Sequence, residues 1–476
     1  MKRLIYVVLF FALFGHRAGA FVITPEMQAT CLRTVVISTV GGEEPVCESV
    51  VAPEGSWGIG ITNVNKVPGR VLVLEPDGSA VYDSGEYLKK ESGMTVKVRG
   101  NTSARFAKKP FKIKLEKKGD MMGRGDKSLN DKNWVLLTSG NNLYQLGFLI
   151  GKWIGMSWAP ACEYVHLVMN DDYRGVYILA EAVERNAECR IVTDESGFVA
   201  ERDPYWWNED GQYLPSGWHP QFNWTMKYPD FEDLTDATAD YISEVLRNFE
   251  NIITTENYED LIDVDSFCKW LIAQDILGTS DGGGTNFYLA RKDDMSSSRL
   301  YVPVLWDVDS GEDTVDAWSN VHYESMIAPL FNNRNTAFSR RYVELYRELS
   351  PSVWRNVESL VAELRSGEWE GFDKAAQLNN GRWGDSAVQY SSSENADHME
   401  WWFPARKKWL DKAVDALEIA LETDGIPCPV ESSSVITVYS LEGIELYRGP
   451  EEDYTPPAAG IYIIRNAEGA GKLIKR

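Results

Sequence analysis

The apolar pattern of this chain changes period part-way along, and that switch limits the possible folds more than any other feature. Up to about Arg190, apolar residues recur mostly at every second position, as in half-buried strands. The runs are Val35 to Val40, Gly58 to Val64, Arg70 to Glu75, Met94 to Arg99, Phe111 to Leu115, Tyr164 to Met169 and Val176 to Leu179, separated by Gly, Asn and Asp turns. One segment breaks the rule: Asn142 to Ile154 sets Leu143, Leu146, Leu149, Ile150 and Trp153 on a helical stripe. Beyond the aromatic stretch Tyr205 to Trp224 the period becomes that of helices, over Asp233 to Asn251, Tyr258 to Leu277, Ser339 to Leu364 and His398 to Thr423. The chain therefore reads as α+β, with a β-rich part at 21–190 and a mainly helical part at 191–424. After the break Gly425-Ile426-Pro427-Cys428-Pro429, the alternating runs Val435 to Tyr439 and Gly460 to Arg465 predict a small all-β domain at 430–476.

Residues 1–20 carry Lys2-Arg3, an apolar run from Leu4 to Phe14 and the small-residue ending Ala18-Gly19-Ala20, which predicts a signal peptide cleaved before Phe21 and a secreted or cell-surface protein. The apolar core is too short for a comfortable span, so no transmembrane anchor is expected. Losing Lys2, Arg3 and Arg17 with the leader takes the net charge from −23 to −26. Such acidity repels phosphate backbones and argues against nucleic acid as a partner. The six cysteines contain no C-x-x-C, which disfavours zinc, and Cys31 with Cys47 is the first disulfide to check, because only a hairpin's length separates them.

The chemistry-bearing pattern is Asp281 with Asn286 five residues on, followed by Trp306-Asp307-Val308-Asp309. In protein kinases an Asp accepts the hydroxyl proton, an Asn five positions later holds a metal, and a downstream Asp at a hairpin end holds the metals bridging the nucleotide phosphates. Other chemistries lack their signatures: H-E-x-x-H and G-x-x-x-x-G-K-[ST] are both missing from the sequence.

Several further segments resemble the CotH kinase family, named for spore-coat protein H, over roughly Leu32 to Glu312. They are Val98-Arg99-Gly100-Asn101-Thr102-Ser103, Lys108-Lys109-Pro110-Phe111-Lys112, Asn133-Trp134-Val135-Leu136-Leu137, Met169-Asn170, Tyr173 to Leu179 with Glu181, Gly197 to Asp203, Met226 to Asp230 and Asp265-Ser266-Phe267. The resemblance implies an atypical two-lobed protein-kinase-like fold, with a β-rich amino-terminal lobe and a helical carboxy-terminal lobe, that binds ATP and Mg²⁺ or Mn²⁺. One departure stands out. The family usually follows Trp-Asp-x-Asp with small or aromatic residues and a Gly, whereas here Ser310-Gly311 come at once and Glu312-Asp313 add acid. The tail, through Ile436 to Gly443, Ala459 to Ile464 and its basic end, resembles the C-terminal sorting domain of the type IX secretion route in Bacteroidota.

On this basis Asp281 is the expected catalytic residue, orienting the acceptor hydroxyl. Asp307 and Asn286 are the expected metal ligands, and Asp309 the alternative, since alternate strand positions point the same way. Asp307 and Asp309 could equally cap a turn. Arg99, Lys109 and Lys112 are candidate phosphate contacts, Glu181 a partner for one of those lysines, Lys227 a nucleotide contact, and Trp306 either stacks on adenine or packs in the core. The expected activity is phosphoryl transfer to Ser/Thr of exported or surface proteins. The alternative is a non-catalytic carbohydrate-binding or adhesion protein that stacks sugars on Trp206, Trp207, Trp218 and Trp224; a carboxylate-pair glycosidase is a weaker third reading, since acids are too abundant for any pair to stand out.

Overall fold

The computed structural model describes residues 22–422 except 57, 63–64, 139, 209–212, 218–220, 254, 256, 284–285, 325 and 332–335, together with residues 435–439, 445–450, 460–466 and 469–475. The expected leader, Trp218, Gly284 and Cys428 lie outside the described residues.

The alternating segments become strands whose alternate side chains fill one interior. On Phe111–Gly119, Phe111, Ile113 and Leu115 point inward while Lys112 and Lys114 face out. Strand Arg33–Thr39 pairs in parallel with Cys162–Met169, and the sheet runs on through Asp172–Glu181, Asp131–Leu137, Phe111–Gly119, Met94–Val98 and Val67–Leu74. Val67–Leu74 then pairs antiparallel with Arg33–Thr39, which closes the sheet into a seven-stranded barrel with Ala80–Asp83 as an extra edge strand. Val35, Ile37, Val71, Val73, Val96, Ile113, Trp134 and Leu179 fill the barrel. This corrects the expected kinase-like amino-terminal lobe: a closed barrel is not such a lobe. The periodicity of single strands carries no signal for closure, which depends on the pairing of Arg33–Thr39 with strands on both sides.

Two barrel strands are buried on both faces. Val135, Leu137, Val176, Ile178 and Ala180 point outward into a second core shared with the helices. Helix Leu143–Ile154 lies in this core and ends at the left-handed Gly155. The part expected to be mainly helical also holds a five-stranded antiparallel sheet, ordered Tyr213–Leu214, Asn223–Tyr228, Phe198–Asp203, Phe287–Arg291 and Leu300–Tyr301. The same part carries helices Asp236–Ile252, Val264–Leu277, Thr336–Arg365, Glu370–Trp383 and Ser392–Glu422, of which Val264–Leu277 packs on Leu300–Tyr301 and Glu370–Trp383 on barrel strand Asp172–Glu181. Val264–Leu277 is buried nearly all round, starts on the Asp263 side chain capping Ser266 N–H, and stops at Gly278. Gly278 is left-handed, and a Cβ there would lie 2.4 Å from the Thr314 carbonyl oxygen.

The described tail strands form an antiparallel sheet in the order Glu445–Pro450, Val435–Tyr439, Gly460–Asn466, Gly469–Lys475. Among the described residues no helix is long and apolar enough to cross a membrane. The described cysteines are free, Cys31 and Cys47 included. Cys31 precedes strand Arg33–Thr39, whereas the Cys47 thiol lies against the Ala104 carbonyl at 3.8 Å.

Candidate active site

Four segments far apart in sequence meet at one place. Arg99 directly follows barrel strand Met94–Val98. Tyr144 sits in the first turn of helix Leu143–Ile154. Asp281 stands in the turn that leaves helix Val264–Leu277, and Asp307 immediately precedes the short 3₁₀ turn Val308–Ser310. The buried Tyr144 donates its phenolic O–H to Asp307 Oδ1 at 2.5 Å. Burial, then the charges of Asp307 and Asp309, hold that phenol well above its usual range, so it stays protonated.

Asp309 reports the crowding. Its carboxyl is pushed up to about 7, first by loss of hydration and then by the negative charges of Asp307 and Asp281, with Arg99 pulling the other way. Asp309 itself is exposed, so solvent screens much of this repulsion. Tyr288, on strand Phe287–Arg291, is raised by burial, then by Glu201, and feels Arg99 and Asp307 as well. The five-stranded sheet therefore borders the same cluster, and Asn286 lies two residues before Tyr288. Asn286 and Asp307 both adopt left-handed backbone, at φ 58° and 54°. Asn and Asp tolerate that region best among non-glycine residues, and such outliers concentrate at functional sites.

The turn carrying Asp281 is tightly held. A Cβ on Gly282 would fall 2.5 Å from Gln274 Nε2, and one on Gly283 2.5 Å from Glu324 Cγ. Arg202 donates from Nη1 to the Gly283 carbonyl at 2.8 Å and to Glu324 Oε2 at 3.3 Å. Ser280 donates to Asp313.

Several expected partners lie elsewhere. Asp307 and Asp309 do not share a strand face, because the strand ends at Tyr301 and Asp309 lies in the 3₁₀ turn. Glu181 pairs with no lysine: buried at the barrel's edge, it takes Arg124 at 3.0 Å and accepts from Trp158 Nε1 and Ala161 N–H. Lys112 pairs with Glu184 at 2.9 Å, and Lys109 donates to the Ala104 carbonyl at 2.7 Å, tying down its own loop. The lysine-to-glutamate pair beside the cluster is Lys227 with Glu201, at 2.8 Å. Trp306 packs in the core, stacked on Phe148 with ring centroids 5.6 Å apart and Arg99 5.9 Å from its own centroid. Trp224 is buried and donates to Glu250, so it presents no free ring for a sugar.

Tyr144 and Tyr288 escaped sequence reasoning. Tyr144 meets a partner 163 residues away, and nothing in its local pattern sets it apart from the helix's apolar residues.

Among the described residues no group of three or more His, Cys, Asp and Glu forms a ready metal cage. Mg²⁺ does not require one, since it keeps several waters and takes one or two carboxylates together with substrate phosphates. Asp307, Asp309 and the Asn286 amide oxygen are hard oxygen donors of that kind. The mutual repulsion of Asp309, Asp307 and Asp281 is what a divalent cation would relieve.

The family model described as CotH kinase protein matches residues 96–410. The match starts inside strand Met94–Val98, ends in the last long helix, and takes in Arg99, Tyr144, Lys227, Asp281, Asn286, Asp307 and Asp309. No curated protein matches the chain.

Proposed function

The chain belongs to the CotH kinase protein family, and from that premise we propose that it is an exported atypical kinase that binds ATP with Mg²⁺ or Mn²⁺. It transfers the γ-phosphoryl group to a Ser/Thr hydroxyl of an exported or surface protein. The observation that carries this assignment is the gathering of Asp281, Asp307 and Asp309 around Arg99 from separate segments. On this assignment Asp307, Asn286 and Asp309 hold the metal, which when bound neutralises phosphate oxygens. Arg99 supplies fixed positive charge beside the cluster, and Lys227, oriented by Glu201, contacts the nucleotide phosphates. Asp281, exposed at the mouth of the site, orients the acceptor hydroxyl and takes its proton as oxygen attacks the γ-phosphorus and the bond to the β-phosphate bridging oxygen breaks. The barrel end bearing Arg99 and the helix-and-sheet part then face each other across the nucleotide. That is a two-part arrangement reached without a kinase-like amino-terminal lobe.

The test is calorimetry with ATP, with and without Mg²⁺ or Mn²⁺. Metal-dependent binding is expected in the wild type and should disappear in Asp307→Ala, because the metal that would neutralise the phosphates loses its principal carboxylate ligand. Equal nucleotide affinity in the two proteins would remove the assignment. Export rests on the leader and on the tail as its address; surface exposure that survives deletion of residues 431–476 would remove the tail's role.

A further inference from the structure

We infer that Tyr144 is a positioning residue for the metal-binding carboxylate of Asp307, delivered to it by a helix shaped to lie against the Asp307 turn. This rests on the assignment of Asp307 as a metal ligand and adds which group of this chain aims it.

The geometry has three parts. The first is the hydrogen bond itself, 2.5 Å from the Tyr144 hydroxyl to Asp307 Oδ1. A neutral donor occupies one carboxylate oxygen without cancelling the negative charge that a cation needs, which an ion pair with Arg or Lys would do. The second is the packing that fixes the helix. A Cβ on Gly147 would lie only 2.2 Å from Val308 Cγ2, so at this position only glycine lets the helix approach the turn so closely. One turn later a Cβ on Gly151 would sit 3.6 Å from Leu305 Cβ, an ordinary contact, so the close approach is local to Asp307 and Val308. The third is the aromatic run that holds Tyr144 laterally. Its ring lies 6.2 Å from Phe148 on the same helix face, and Phe148 stacks on Trp306, the residue before Asp307. Tyr144 is thus tied to the Asp307 turn at two points, through its hydroxyl and through Phe148 and Trp306.

The left-handed backbone of Asp307 explains why such a support is required. At φ 54°, and with no hydrogen bond from its side chain to the following turn, the carboxylate is not fixed by its own backbone. Groups that orient a ligand from behind typically change metal affinity 10- to 100-fold when removed.

The experiment measures Mn²⁺ binding without nucleotide, by titration calorimetry and by the Mn²⁺ resonance signal, in the wild type, Tyr144→Phe and Asp307→Ala, beside thermal unfolding of each in chelator. Tyr144→Phe should keep the fold and weaken Mn²⁺ binding roughly 10- to 100-fold, while Asp307→Ala loses it. Gly147→Ala should weaken Mn²⁺ binding as well, and adding Val308→Ala to that chain should restore most of it by returning the space. That rescue keeps the question open to measurement even if Tyr144→Phe folds poorly. Wild-type affinity in Tyr144→Phe, with binding lost in Asp307→Ala, would overturn the positioning role alone. A wild type that binds no Mn²⁺ with or without ATP would overturn both this role and the kinase assignment.

Discussion

Two groups of carboxylates in the helix-and-sheet part of the molecule are built on opposite principles. Asp275, fully buried on helix Val264–Leu277, has its charge surrounded by donors: Oδ2 accepts from the Tyr342 hydroxyl and from His322 Nε2, each at 2.7 Å, and Oδ1 accepts from Ser319 N–H at 3.1 Å. The Arg406 guanidinium binds the Asp275 backbone carbonyl at 2.7 Å. Six residues later on the chain, Asp281 lies exposed and acts with Asp307 to raise Asp309. The first group is satisfied within the protein, and the second concentrates like charge with Arg99 in opposition. Buried polar groups that serve the fold find partners. Like charges gathered where solvent reaches them are suited to a cation that arrives from outside.

The sharpest way to break the contrast is Asp275→Ala. It strands the Tyr342, His322 and Ser319 donors in a dry core, and loss of roughly 3–5 kcal/mol of unfolding free energy is expected. Urea unfolding reads this directly. A loss under about 1 kcal/mol would mean that water reaches those donors and that the two groups differ less than their contacts indicate.

The same contrast accounts for what was legible in the sequence. Strand Phe111–Gly119 is legible because it buries one face and exposes the other, and helix Leu143–Ile154 because its apolar residues recur at helical spacing, although Lys152 is its only exposed residue. Asp131–Leu137 was not read as a strand, because Trp134 and Leu136 face the barrel interior while Val135 and Leu137 face the second core, which erases the alternation. The five-stranded sheet was hidden by strands as short as Tyr213–Leu214 and Leu300–Tyr301. Asp281, Asp307 and Asp309, which the fold brings into electrostatic reach of one another, are singled out in the sequence by their order along the chain. Their electrostatic neighbours Tyr144 and Tyr288 are not, since contacts over such sequence distances leave no local pattern. The lysines misled for a related reason. A cation on an outward strand face reads the same whether it meets phosphate or, as Lys112 does, a glutamate 72 residues away.

The next test concerns Asp309 in metal-free protein. Its folded-state pKa is raised to about 7 from an ordinary value near 3.8, so the folded chain holds a proton that the unfolded chain releases. Stability therefore falls as pH rises from about 4 to 7, and the full penalty stands above that window. Asp309→Asn removes it. With solvent screening of this exposed carboxyl, the gain at pH 8 in chelator is about 1 kcal/mol or less, shrinking towards zero as pH approaches 4. Saturating Mg²⁺ should reverse the order, because only the wild type regains a counter-charge. Lower stability of the variant at pH 8 in chelator would show that Asp309 is satisfied by the protein, as Asp275 is.

Asp281 should have the smallest effect on stability. It is exposed in a turn already held by Arg202, Gln274 and Glu324 acting on Gly282 and Gly283, so Asp281→Asn is expected to change unfolding free energy by no more than about 0.5 kcal/mol. Its effect belongs to the transfer step instead. An amide keeps the shape and turn-capping ability of the side chain but cannot accept the acceptor hydroxyl's proton. ATP affinity should then stay within a few-fold, while phosphate transfer to an added protein substrate falls by roughly 10²–10⁴. A variant with full transfer activity would place Asp281 with the residues that merely close a turn, and the functional cluster would shrink to Asp307 and Asp309 beside Arg99. A variant that lost ATP binding as well as transfer would move Asp281 among the metal-holding residues, and the division between binding and transfer within this cluster would have to be redrawn.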